Sequence, residues 1–182
     1  MHACLTGSSV LKQTGGGACW AAPPRVMSFL VWNYRGLGNL VTEKELRDLI
    51  WAKDPSIMFM AETWTDEARL KTIKRRLNFD HMFFVPQIHR RGGLVLFWKE
   101  SMGLRVETSS KNHIDCIIWG GSEGAWRFTG FYGEPITHKW HGSWSLLCQL
   151  NNQFNLHWLC AGDFNEILGG SKKKGGSSRS HA

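Results

Sequence analysis

Trp158-Leu159-Cys160-Ala161-Gly162-Asp163-Phe164-Asn165-Glu166 is the stretch on which the reading of this 182-residue chain turns. Its apolar start reads as a short buried strand, closed by Gly162. Asp163 and Asn165 follow at the strand's mouth, two residues apart, so on an extended backbone their side chains point the same way. A carboxylate beside a carboxamide at the end of a buried strand is costly in a plain core. It suits phosphoryl chemistry, in which the Asp orients a water or helps hold a metal and the Asn donates to a phosphate oxygen as charge develops. Taken alone, Gly-Asp-x-Asn fits an Asx-rich turn after a strand equally well.

Further upstream, two more apolar runs end on polar residues. Phe29-Leu30-Val31-Trp32 closes on Asn33 before a turn through Gly36 and Gly38, and Ile57-Met58-Phe59-Met60-Ala61 closes on Glu62-Thr63. Between them, Thr42-Glu43-Lys44-Glu45 has the Thr-x-x-Glu capping pattern, and Leu46, Leu49 and Ile50 supply a helical stripe that Asp54-Pro55 stops. A charged helix is predicted from about Thr65 to Leu77. Consecutive strands follow near 79–85, 93–98, 103–109, 113–119 and 125–132, then a helix near 139–153. Two buried strands with helices, then a β-meander, then helix and strand predict an α/β sandwich with more than one sheet. Residues 1–26 show no periodicity and read as a disordered leader. Residues 27–168 form the folded portion, and 169–182 a solvated basic Gly/Ser-rich tail.

Composition narrows the classes. The formal charge is +7, but all fifteen acids lie between Glu43 and Glu166, and that stretch holds fifteen Lys and Arg. The excess therefore sits at the ends and says little about the domain surface. Most of the ten tryptophans are expected in the core or a cleft wall. Five scattered cysteines without a C-x-x-C pattern imply a reducing compartment, with Cys116, Cys148 and Cys160 read as small core residues. No apolar run reaches membrane-spanning length. The first residues lack a basic n-region with a clear apolar h-region, so no secretory signal is expected, although their lack of acids leaves an organellar transit peptide open.

Lone polar residues at strand ends are usually turn or capping chemistry. Asn33, Glu62 and Asp163/Asn165 occur together, however, and strand ends of α/β folds gather at one rim. Tyr132, in Phe131-Tyr132-Gly133, adds a phenol at another strand end. In order, Trp32-Asn33-Tyr34-Arg35-Gly36-Leu37-Gly38, Glu62-Thr63, Arg91-Gly92-Gly93, Gly130-Phe131-Tyr132-Gly133 and Gly162-Asp163-Phe164-Asn165 resemble the motifs of the endonuclease/exonuclease/phosphatase superfamily. The chain is most similar to the endonuclease domain of plant LINE-type retrotransposons. Lys111-Asn112-His113-Ile114-Asp115 and the segment from Trp126 to Pro135 also resemble that subgroup. Tyr34 stands where that subgroup usually has Cys.

The resemblance implies a four-layered α/β/β/α sandwich and Mg²⁺-dependent phosphodiester hydrolysis, with Mn²⁺ as the alternative ion. DNA would be the partner, nicked to prime reverse transcription in the nucleus; no membrane or protein partner is implied. By the same resemblance Glu62 holds the metal with Asn33 beside it, and Tyr132 contacts the scissile phosphate. Asp163 orients the nucleophile, and Asn165 stabilises the transition state. The family's later Ser-Asp-His segment, with its general-base His, has no counterpart here. Ser180-His181 follows a flexible run and lacks the Asp. Residues 27–168 are therefore expected to be the N-terminal portion of the domain, inactive in nicking as it stands. The alternative is a non-catalytic retrotransposon remnant or a nucleic-acid-binding fragment using its basic tail.

Overall fold

The computed structural model describes residues 2–7, 27–33, 40–87, 92–136 and 139–165, with residues 2–7 and 40–43 described by backbone alone. Among these, the strands are β1 (His2–Gly7), β2 (Met27–Asn33), β3 (Ile57–Ala61), β4 (His81–Val85), β5 (Leu94–Trp98), β6 (Leu104–Ser110), β7 (His113–Ile118), β8 (Trp126–Tyr132) and β9 (His157–Asp163). The helices are α1 (Leu40–Lys53), α2 (Glu67–Arg76) and α3 (Trp140–Asn151). One sheet has the order β1-β2-β3-β5-β4, the other β6-β7-β8-β9. Each contains a single parallel pair, β2 with β3 and β8 with β9; the remaining pairings are antiparallel.

Side-chain alternation explains the layering. Phe29 and Val31 of β2, Ile57 and Phe59 of β3, and Leu94 and Leu96 of β5 pack in one buried cluster with Ile114, Cys116, Ile118 and Phe128 of the second sheet. The alternate residues Leu30, Met58, Met60, Val95 and Phe97 face the other way and pack with Leu46 and Ile50 of α1 and Leu70 and Ile73 of α2. On the far side of the second sheet, the buried guanidinium of Arg127 donates to the carbonyl of Leu150 in α3. The result is the four-layered α/β/β/α sandwich. The two sheets approach so closely at Gly130 that a Cβ there would lie 2.2 Å from the Phe59 ring, which leaves room for no other residue.

Most predicted elements are found within one to three residues of their expected ends, with informative exceptions. His2–Gly7 lies in the stretch read as a disordered leader, yet it forms β1, with His2 opposite Trp32. Residues 8–26 and 166–182 lie outside the described residues, so the rest of that leader, the tail and His181 do too. Helix α1 begins at Leu40, which puts Thr42 inside the helix, not at its cap. Helix α2 is capped by Asp66, whose carboxylate accepts from the Arg69 amide at 2.8 Å, so it starts slightly later than expected. Cys148 is exposed, because α3 turns only Leu150 fully inward. Of the described tryptophans, Trp32, Trp98, Trp119 and Trp126 pack partly buried against the core, Trp51, Trp64 and Trp144 are exposed, and the buried aromatic positions are taken by Phe29, Phe59, Phe79, Phe97, Phe128 and Phe131. An indole carries an N–H that must find a partner, whereas a phenyl ring does not.

Candidate active site

The parallel pairs bring four C-terminal strand ends to one edge of the sandwich. Asn33, the last residue of β2, is level with Ala61 of β3, which places Glu62 just beyond it. In the other sheet, Tyr132 at the end of β8 is level with Asp163 at the end of β9. All five residues singled out in the sequence meet here, and two of their contacts cross between the sheets. The Tyr132 hydroxyl donates to Glu62 Oε1 at 2.7 Å, and Asn33 Nδ2 donates to Asp163 Oδ2.

Asp163 is held from a second side, since the Asn165 amide nitrogen donates to its Oδ1 at 2.9 Å. The pairing of Asp163 with Asn165 does not arise as the extended-strand reading had it. Strand β9 is a half-buried edge strand that runs through Gly162 to Asp163, and Asn165 sits in the left-handed region with φ 52°. The turn, not strand alternation, brings Asn165 back towards Asp163. Its side-chain Nδ2 donates to the Gly133 carbonyl at 2.8 Å. The Asx turn and the polar site thus coincide in the same residues.

Glu62 is 6% exposed and also adopts a left-handed backbone, φ 56°. Non-glycine residues held there store strain, which is tolerated where the surroundings over-determine the conformation. Here the Thr63 amide donates to the Gly93 carbonyl at 3.2 Å. Gly93 has φ 82°, and a Cβ on it would lie 2.8 Å from Thr63 Oγ1, so the glycine of the Arg91-Gly92-Gly93 motif is required by close approach. Burial, together with the hydrogen bond and negative charge of Glu62, pushes the Tyr132 phenol well above its ordinary range. Tyr132 therefore remains a neutral O–H donor.

Sequence reasoning missed the role of Asn112 in this site. Its carbonyl accepts from the Tyr132 amide and its Nδ2 donates to the Tyr132 carbonyl, both at 2.7 Å. This clamp fixes the end of β8. The available signal was Asn112's place in a loop beside Lys111-Asn112-His113, but nothing in the residue type specified its partner. The histidines whose side chains are described lie elsewhere: His81 with Glu100, His113 with Ser110 and Thr108, and His157 against the Trp126 ring, while His141 is exposed on α3.

The sequence profile described as Endonuclease/Exonuclease/phosphatase family matches residues 27–181. The chain belongs to this family. Among solved structures, this family member is similar to an AP endonuclease from Archaeoglobus fulgidus, at 15% identity and TM-score 0.59, over 76% of this chain and 57% of that one. It is also similar to a 3′ phosphatase from Neisseria solved with a product DNA hairpin, at 15% identity and TM-score 0.57, over 76% and 58%. An endonuclease/exonuclease/phosphatase family protein from Bacteroides thetaiotaomicron gives 11% identity and TM-score 0.56, over 76% and 63%. The chain thus spans somewhat under two thirds of the length of these structures, and the likeness is one of fold. No curated protein matches it.

Members of the family use divalent metal ions, and the strand-end residues can be tested for fit. Among the described residues there is no cluster of three His, Cys, Asp or Glu. What is present is the buried Glu62 carboxylate and, at the neighbouring strand end, Asn33 Oδ1, a buried oxygen with no hydrogen-bond partner among the described residues. A buried amide oxygen left unpaired is costly unless something occupies it. One carboxylate and one neutral oxygen, both hard donors, fit a cation that keeps much of its water.

Proposed function

We propose that these residues form the metal and phosphate side of a DNA endonuclease site like that of plant LINE-type retrotransposons, within the N-terminal portion, residues 27–168, of such a domain. The observation that carries the proposal is the pair of cross-sheet links, Tyr132 to Glu62 and Asn33 to Asp163, at the meeting of the two parallel pairs. The retrotransposon affinity is supported by the subgroup-like residues from Lys111 to Asp115 and from Trp126 to Pro135. A nuclear site of action goes with it.

Glu62 and the unpartnered Asn33 Oδ1 would hold Mg²⁺, which when bound neutralises charge on the phosphoryl oxygens. Tyr132, kept neutral, is able to turn its hydroxyl from Glu62 to a phosphate oxygen. Asp163 has both oxygens fixed by donors, so a water bound to it would have a defined direction of attack. Asn165 Nδ2, now on the Gly133 carbonyl, would donate to charge developing on the phosphoryl group. No described residue at the site serves as a general base, a contribution typically of about 10²–10⁴-fold.

The test is nicking of supercoiled plasmid with Mg²⁺ or Mn²⁺. The 182-residue chain is expected to give none above background. Fusion to a second half from an active family member is expected to restore it, and Asp163→Ala or Asn165→Ala to abolish it again. Calorimetry on the 182-residue chain should show weak Mg²⁺ binding, lost in Glu62→Gln and retained in Glu67→Gln. Nicking by the fusion that survives Asn165→Ala, or Mg²⁺ binding indifferent to Glu62, would overturn the assignment.

A further inference from the structure

Trp64 stands two residues beyond Glu62 and is 46% exposed. Its backbone is left-handed, φ 45°, a conformation that is a genuine outlier for a bulky side chain. A glycine would occupy this position without strain, and an indole left 46% exposed gains less from packing than a buried one. The chain therefore gives up stability to present an aromatic face beside a phosphate-directed site. Thr63, just before it, is fully buried, so the segment is anchored at one residue and open at the next.

The surroundings of Trp64 complete the argument. The Gly92-Gly93 turn runs alongside it: a Cβ on Gly93 would lie 3.6 Å from the Trp64 backbone nitrogen, and a Cβ on Gly92 3.9 Å from the Lys111 backbone carbonyl. The backbones of Trp64 and Lys111 thus flank one turn at the rim, and each carries an exposed side chain, one aromatic and one cationic. The Lys111 side chain is exposed, and its Nζ sits 3.7 Å from Glu134, a loose pairing that a phosphate would readily displace.

We propose that Trp64 is a stacking platform for a nucleobase adjacent to the scissile phosphate, with Lys111 across the turn meeting a flanking phosphate. The inference rests on the DNA endonuclease reading above and deepens it. Every base offers a π-face, so the platform favours an unpaired base over a paired one and is tolerant of sequence. Base–aromatic stacking corresponds to about 5- to 150-fold in affinity.

The experiment uses the 182-residue chain in EDTA and two single-stranded 12-mers. One carries 2-aminopurine at its centre, and the other is identical but has an abasic linker there. Wild type should bind the first at least about 5-fold more tightly and quench its emission. Trp64→Gly should reduce that ratio to one and abolish quenching, while leaving affinity for the abasic strand unchanged and the melting temperature no lower than wild type. Trp64→Phe should retain most of the ratio. Lys111→Gln should weaken both strands equally and lower the log–log salt slope by about 0.7. An unchanged ratio in Trp64→Gly, with binding intact, overturns the platform and leaves the endonuclease reading standing. Equal weakening of both strands in Trp64→Gly, or a lower melting temperature, assigns Trp64 a packing role and also overturns it. Failure of wild type to bind either strand at low salt removes the endonuclease reading and this inference together.

Discussion

The two outer faces of the sandwich are covered by opposite means. Over the first sheet, α1 and α2 lay Leu46, Ile50, Leu70 and Ile73 on Leu30, Met58, Met60 and Phe97, an apolar layer with no fully buried charged residue among those described. Over the second sheet, the layer beneath α3 is polar. Arg127, 1% exposed, is paired with the fully buried Asp115 at 2.9 Å and donates to Gln153 Oε1, while Thr129 donates to Asp115 and accepts from the Trp158 indole. The Arg127 guanidinium also lies 5.0 Å from the Phe154 ring centroid and 5.2 Å from that of Trp158. An apolar layer tolerates repacking, because its energy is spread over area. A buried ion pair depends on each partner, because removing one leaves the other charged and desolvated.

The largest expected effect breaks the polar side. Arg127→Met alone should cost about 3–5 kcal/mol, measured by urea unfolding, since Asp115 is left uncompensated. The double variant Arg127→Met/Asp115→Leu should recover most of that loss. Single and double variants of equal stability would show that the pair is not coupled and that the contrast between the layers is false. On the apolar side, Leu70→Ala should cost about 3 kcal/mol through lost burial and a residual cavity, with no single polar substitution able to rescue it.

The seam between the sheets comes next. Tyr132→Phe removes the donor to the buried Glu62 and should destabilise by about 1–2 kcal/mol by thermal melting. A neutral result would mean that the cross-sheet bond contributes nothing to holding the site. The smallest effect is in pH dependence and again distinguishes the faces. Burial lowers the His113 pKa, opposed by Asp115 and assisted by Arg127. A lowered folded-state value means that the unfolded chain takes up a proton first. His113 thus supports full stability above its unfolded value, about 6.5, and loses it as pH falls below that towards the folded value. His113→Gln should flatten this acid limb in denaturation curves between pH 7 and 5; an unchanged slope would rule the histidine out.

The layers also differ in how far the sequence announced them. Phe29–Trp32, Ile57–Ala61 and the meander strands were readable because apolar runs between turn residues allow few alternatives. The gathering of Asn33, Glu62, Tyr132, Asp163 and Asn165 was accessible through motif order. Physical reading of spacing alone misjudged how Asn165 reaches Asp163, since a left-handed turn residue leaves no mark in period-two alternation. Strand β1 was hidden because His2–Gly7 is weakly apolar and owes its extension to pairing with β2. The Asp115–Arg127 pair was invisible for a related reason: two charges twelve residues apart look like surface until the β7–β8 register places them on one face. Asn112 and Trp64 belong with these, since both act through what the fold brings near them.

The two cross-sheet bonds have a mechanical consequence. Each joins a strand end of one sheet to a strand end of the other, so the site works as a gauge of how the sheets are aligned. A slide of one sheet by a single residue repeat, about 3.3 Å, would break both bonds at once. Smaller shears would lengthen them while the apolar interior stayed closed. Substitutions at the Phe59–Phe128 contact, deep between the sheets, should therefore blunt the site at a distance, well before the fold itself gives way.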